Sequence, residues 1–238
     1  IDHVGDRQGS RWTEGRVQTP PGFADAFRRF VDAGWSGIAL PSAYGGQGLP
    51  TLLCTVVREI FTSANKAFCY CPELTEFAVK ALSSGASESL KAVYLPKLVS
   101  GQWSATMNLT ESQAGSDVGA LRTRAEPRPD GSYRIFGQKI FISYGEHDLT
   151  DNIVHLVLAR LPGAPEGTRG ISLFLVPKIL PDGRRNDVRC TGIEHKMGNH
   201  ASPTCTLVYG GAGEGGHYNS SLQIPGGLEM TTSKDVLE

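Results

Sequence analysis

Residues 107–117, Met-Asn-Leu-Thr-Glu-Ser-Gln-Ala-Gly-Ser-Asp, decide how this chain is read. A second run, Gly137-Gln-Lys-Ile-Phe-Ile-Ser143, follows about one β-domain's worth of residues later. The first run offers an extended segment, Met107–Thr110, and then a turn of small residues, Ala114-Gly115-Ser116, whose backbone N–H groups can face a phosphate. The second offers an aromatic ring, Phe141, beside a hydroxyl, Ser143. Two such walls suit a flat ligand with an apolar face, a polar edge and a pyrophosphate, which describes a flavin. By chemistry alone the first run also reads as a polar loop joining two strands, with Glu111 and Asp117 solvated. Ile140-Phe-Ile likewise reads as strand core.

Around these runs the texture changes once. Before Trp103 the rhythm is helical. After Pro20-Pro21 the residues Phe23, Ala26, Phe27, Phe30, Val31 and Ala33 recur at three- and four-residue spacing, with Gly34 as a stop. Pro41 to Pro50 is a loop by composition. Further helices are expected over Leu52–Ser63, over Pro72–Leu82 with Pro at the first turn, and from a Ser87 cap to Gly101, where Pro96 should kink or shorten the pattern. From Trp103 short strands alternate with turns: 103–110, 120–126, 132–136, 138–143, 153–160, 171–177 and 204–209. Pro129-Asp-Gly131 and Pro181-Asp-Gly183 mark turns. Strands this short and this dense point to a barrel or sandwich-like β-domain. There is no internal repeat.

Composition narrows the function. The 238 residues are 39% hydrophobic and 8% aromatic, ordinary for a globular core. A net charge of −1 gives no electrostatic case for nucleic acid. No apolar run approaches the length of a membrane span, and no leader is visible at the start of the chain. The five cysteines, Cys54, Cys69, Cys71, Cys190 and Cys205, lack Cys-x-x-Cys spacing and read as reduced structural thiols. His195 and His200 suit no common metal-ligand spacing. Glu146-His-Asp148 reads as an acid/base cluster or as a polar strand-end loop. Gly45, Gly46 and Gly48 are not followed by the Lys-Ser/Thr of a P-loop, and no Gly-x-Ser-x-Gly elbow occurs.

The order of the motifs is more specific than any one of them. Met107–Asp117 is followed by Gly137–Ser143, then Asp151-Asn-Ile-Val-His-Leu-Val-Leu-Ala-Arg160, Gly170-Ile-Ser-Leu-Phe-Leu-Val-Pro177 and Glu194-His-Lys-Met-Gly-Asn-His-Ala-Ser-Pro-Thr204. Over roughly residues 20–210 this series resembles the flavin-dependent acyl-CoA dehydrogenase family, in particular its large bacterial branch with 3-methylmercaptopropionyl-CoA and long-chain acyl-CoA dehydrogenases. The resemblance implies an α+β fold. A helical N-terminal domain over 1–102 precedes a β-barrel-like, flavin-binding domain over 103–210. An irregular tail over 211–238 no longer resembles the family. It looks like a frameshifted, chimeric or truncated end, with the family's C-terminal helical bundle absent.

The resemblance also assigns roles. Met107, Leu109, Thr110, Gly115, Ser116, Phe141, Ile142 and Ser143 would bind FAD. Thr110 would lie near the pyrimidine end of the flavin, and Ser116 by the pyrophosphate and close to the acyl-CoA substrate. Phe141 takes the place of an aromatic that is tryptophan in many relatives, and Ser143 that of a hydroxyl residue facing flavin N5. Phe for Trp keeps the shelf but loses ring area and the indole N–H. The family reaction removes the proton next to the thioester carbonyl and passes a hydride from the next carbon to the flavin, so a carboxylate base and hydrogen bonds to the carbonyl must act together. That base is a glutamate on the C-terminal bundle. Glu229 and Glu238 are not placed by any pattern, so no catalytic residue and no metal ligand is nominated. The expected partners are acyl-CoA, an electron-transfer flavoprotein or similar acceptor, and further copies of the full-length protein. The expected location is the cytoplasm of a bacterium, or the mitochondrial matrix in a eukaryote. An acyl-CoA oxidase, or a catalytically incompetent homologue or partner subunit that binds only flavin or protein, fits the same residues. The chain by itself is expected to hold FAD weakly and to turn over little or no acyl-CoA.

Overall fold

The structure, a computed structural model, describes residues 1–211. The tail over 212–238, with Glu229 and Glu238, lies outside the described residues. Five α-helices come first or frame the first strands: α1 (Asp2–Gln8), α2 (Phe23–Asp32), α3 (Thr51–Ala64), α4 (Lys66–Gly85) and α5 (Glu88–Val99). A two-stranded hairpin, β1 (Arg11–Thr13) and β2 (Arg16–Gln18), sits between α1 and α2. A seven-stranded sheet follows from β3 (Trp103–Asn108), β4 (Arg124–Pro127), β5 (Tyr133–Ser143), β6 (Asn152–Arg160), β7 (Ile171–Pro177), β8 (Val188–Ile193) and β9 (Thr204–Tyr209). The change from helix to sheet falls at Trp103, as the rhythm predicts.

Local chemistry explains the helix starts. Ser87 caps α5 by accepting the Leu90 amide, and Pro96 sits within the helix without ending it before Val99. α4 begins six residues earlier than Pro72 predicts. The Asn65 side chain accepts the Phe68 amide at 2.8 Å and supplies the cap. Pro72 is then inside the helix, where it removes one donor but does not stop it.

The sheet order is β3-β6-β4-β5-β9-β8, with β7 on the other edge of β6. β3 and β6 run parallel and the remaining long pairings are antiparallel. β6 is buried on both faces over Asn152–Ala159, which fits a central strand carrying a continuous apolar run. One core packs α4 and α5 on the sheet through Leu82, Leu95 and Leu98 against Val154, Leu156 and Leu175. A second fills the concave side of the curled sheet with Ile135, Ile142, Phe174, Cys205 and Leu207. The helical part has its own aromatic core around Phe23, Phe27 and Phe68, and Tyr144 Oη donates to Ala67 O at 2.7 Å to bind the two parts together.

The expected break at Gly137 is not a break. Strands 132–136 and 138–143 are one strand, β5. Gly137 has φ +152°, and a Cβ there would lie 2.4 Å from Thr123 Oγ1 and 2.9 Å from its Cβ. The glycine lets the strand pass the residue that precedes β4. Gly137→Ala is therefore expected to cost about 2 kcal/mol or more, read as a lowered urea midpoint with an unchanged slope. An unchanged midpoint would contradict this close approach. The helix α1, the strand β8 and the β1–β2 hairpin also escape the sequence reading. β8 alternates for only a few residues, and the β1–β2 hairpin turns through Glu14 (φ +49°) and Gly15 (φ +80°), the pair of left-handed residues that a two-residue turn needs.

Candidate functional site

The two decisive runs meet where the chain just past β3 reaches the bulge of β5. β5 pairs regularly with β9 up to Lys139 and again from Ile142, but Ile140 and Phe141 are out of register. At that bulge the Ile140 amide donates instead to Thr110 O at 2.9 Å. Lys139 Nζ donates to Leu109 O at 3.0 Å and to Glu111 Oε1 at 2.8 Å. Three consecutive residues of one wall are thus held by two consecutive residues of the other.

The bulge turns Phe141 outward. Its φ is +59° and it is 56% exposed, an uncommon state for a bulky residue and one that costs about 1–2 kcal/mol. Met107 is also exposed. Thr110 and Ser143 are half-buried and Ser116 is exposed. Among the described residues the hydroxyls of Thr110, Ser116 and Ser143 make no hydrogen bond to protein. Leu109 packs partly against the core under β3. The Ile142 side chain turns into the concave core, so only its backbone faces the way Phe141 does. Beyond Thr110 the chain makes a tight turn in which Glu111 and Ala114 exchange backbone hydrogen bonds, each at 3.0 Å. Gly115 and Ser116 follow. Their amides have no backbone acceptor, and the space beside Gly115 is open.

Glu111 is the residue that sequence reasoning missed. It is 5% exposed, and Lys139 is fully buried. Its carboxylate also accepts the amides of Arg122 (2.7 Å) and Thr123 (3.0 Å) and the Gln113 side chain (2.6 Å). Burial pushes this carboxyl up, but the hydrogen bonds from Lys139, Thr123 and Arg122 and the Lys139 charge outweigh it and hold it at about 2. Burial lowers the Lys139 ammonium, and its bond to Glu111 offsets only part of that. The signal that could have found the pair is a lysine in the middle of an apolar strand run.

The other candidate clusters are tied up structurally. Glu146 pairs with Lys178 and, at 3.4 Å, with Arg185. Asp148 accepts the amide and hydroxyl of Thr19 at 3.0 and 2.7 Å. His200 places both ring nitrogens on backbone oxygens, of Asp6 at 2.8 Å and of Lys196 at 2.9 Å, and stacks on His195. Among the described residues no group of three or more His, Cys, Asp or Glu is placed to hold a metal, and no helix is long and apolar enough to cross a membrane.

A buried polar chain lies beneath the Met107 wall. Tyr209 Oη donates to Asn108 Oδ1, Asn108 Nδ2 donates to Thr106 Oγ1, and Thr106 meets His155 Nδ1, each at 2.8 Å. His147 Nδ1 accepts the Leu149 amide at 3.1 Å and its Nε2 meets Ser104 Oγ at 2.9 Å. Burial, helped by the Lys178 charge, pushes both imidazoles down to about 3. Both are neutral when folded, whereas the unfolded side chains titrate near 6.5. The folded state is therefore fully favoured above pH ~6.5 and loses stability as pH falls toward 3, by up to about 2.7 kcal/mol per pH unit for two protons. Urea midpoints should drop steeply between pH 6.5 and 5; a flat profile there would contradict buried neutral histidines.

Sequence and structure comparisons agree with a helical part followed by a sheet. Residues 6–102 match the acyl-CoA dehydrogenase N-terminal domain and residues 106–211 match the acyl-CoA dehydrogenase middle domain. The chain belongs to the acyl-CoA dehydrogenase family, of which it carries these two domains. It is 50% identical over 217 residues to a 3-methylmercaptopropionyl-CoA dehydrogenase of Ruegeria pomeroyi, covering 89% of this chain and 37% of the relative. It is 41% identical over 201 residues to the broad-specificity linear acyl-CoA dehydrogenase FadE5 of Mycobacterium tuberculosis, covering 82% and 33%. A crystal structure of an acyl-CoA dehydrogenase complexed with FAD from Bacillus anthracis superposes with a TM-score of 0.63 at 27% identity, over 78% of this chain and 30% of that one. The chain spans about a third of the length of these curated relatives.

Proposed function

We propose that this chain forms the flavin-facing part of an FAD-dependent acyl-CoA dehydrogenase, acting on the α,β-carbons of an acyl-CoA thioester. The observation that carries this is the strained, outward Phe141 on the bulge of β5, hydrogen-bonded through its neighbour to the Thr110 wall. Strain of this kind concentrates at functional sites. The residues present fit FAD. Phe141 and Met107 offer exposed apolar surface, Thr110 and Ser143 offer unspent hydroxyls, and the amides of Gly115 and Ser116 are free to meet a phosphate. Bound FAD would supply the hydride acceptor. Phe141 would support the ring, Ser143 and Thr110 would donate to its polar edge, and Ser116 would stand by the pyrophosphate and the acyl-CoA.

No carboxylate of the chain is assigned as the base. Electrons would leave to an electron-transfer flavoprotein or similar acceptor. A solved structure of an electron transferring flavoprotein of Acidaminococcus fermentans is similar to this chain, at 28% identity and a TM-score of 0.66. The test is equilibrium titration of the purified chain with FAD, followed by quenching of flavin fluorescence. Saturable, weak binding is expected, tighter for FAD than for riboflavin because the Gly115–Ser116 amides need the pyrophosphate. Equal affinity for riboflavin would contradict that role, and no binding would contradict the whole proposal.

A further inference from the structure

Lys139 and Glu111 are 28 residues apart in the chain and buried together beside the bulge. A buried ion pair is a poor device for stability alone, because apolar residues of similar volume serve a core as well or better. What this pair adds is geometry. Lys139 is the last residue of β5 in register with β9 before the bulge. Its Nζ fixes the Leu109 carbonyl and the Glu111 carboxylate, and the next residue, Ile140, fixes Thr110. Glu111 in turn gathers the Arg122 and Thr123 amides and the Gln113 side chain, closing the turn that leads into Gly115 and Ser116. Thr110, the turn leading into Gly115 and Ser116, and Phe141 thus all adjoin residues that the pair or its neighbour Ile140 holds.

We propose that Lys139, with Glu111, is a positioning residue for the flavin edge: the clasp fixes the spacing of the Met107–Ser116 wall against the Ile140–Ser143 wall, and flavin affinity and orientation depend on it beyond its share in fold stability. This rests on the FAD reading above. Sites held to within fractions of an ångström lose function when the supporting shell loosens. The clasp touches no ligand; it acts through the backbone of residues 109–111 and 140–141.

The test compares wild type with the neutral double variant Glu111→Gln/Lys139→Met and with Lys139→Arg, which keeps the charge but moves the donor nitrogens. All are titrated with FAD at a temperature where thermal melts show each to be folded, and visible circular dichroism records how the bound flavin is oriented. The double variant is expected to melt below wild type, because a glutamine amide cannot accept every N–H that the Glu111 carboxylate accepts, and, measured while folded, to bind FAD about tenfold or more weakly with an altered visible spectrum. Lys139→Arg is expected to shift both readouts in the same direction, and it carries the test if the double variant fails to fold. Wild-type affinity and spectrum in a folded variant would overturn the clasp. A wild-type chain that binds no FAD would overturn the flavin proposal itself, and this inference with it.

Discussion

Lys139→Met alone is expected to lower the folding free energy by about 3–5 kcal/mol at pH 7, because it leaves the Glu111 carboxylate buried without its counter-charge. The sign of the pH dependence follows from Glu111. In wild type its folded carboxyl sits at about 2, below the unfolded value near 4.3. Its contribution is therefore complete above pH ~4.3 and is lost as pH falls through about 2. In the variant the ammonium is gone and burial dominates, so the carboxyl protonates at higher pH and the penalty relaxes. The difference between wild type and variant should narrow on acidification, even as both lose the stability tied to His147 and His155. Paired urea melts from pH 8 to 4 measure that difference. A penalty under 1 kcal/mol, or one that does not change with pH, would contradict a buried pair at this place.

Phe141→Gly is expected to behave in the opposite way: fold stability kept, flavin binding lost. The ring is 56% exposed, so its removal uncovers little core, and glycine adopts φ +59° without the steric cost that Phe141 bears. The melting temperature should stay level or rise. Affinity for FAD should fall by roughly thirtyfold, the equivalent of about 2 kcal/mol for the apolar contact of one aromatic side chain. Thermal melts and flavin titration of the same preparation give both numbers. A destabilised variant with unchanged affinity would mean that Phe141 serves the fold and not the ligand.

Much of this architecture is legible in the sequence because it rests on local chemistry. The Ser87 cap, the three- and four-residue rhythm after Pro20-Pro21, and the change of texture at Trp103 are all short-range signals. The ordered motifs that point to the family are equally readable along the chain. The parts that resist reading depend on distant partners. Ile140-Phe-Ile reads as core, yet Phe141 faces out and Lys139 faces in. What inverts the pattern is Thr110 and Glu111, brought in from another strand end. Pro72 reads as a helix start because the cap that matters, Asn65, lies seven residues upstream. β8 alternates too briefly to stand out, and it becomes a strand through its pairing with β9.

Amide chemical-shift mapping of the isotopically labelled chain during FAD titration locates the flavin on the protein. The largest perturbations are expected at Thr110, Gly115, Ser116, Phe141 and Ser143, saturating together with the fluorescence change. Perturbations centred elsewhere, for example on Trp12 and Arg189 beside the β1–β2 hairpin, with the bulge of β5 unmoved, would contradict that place for the flavin.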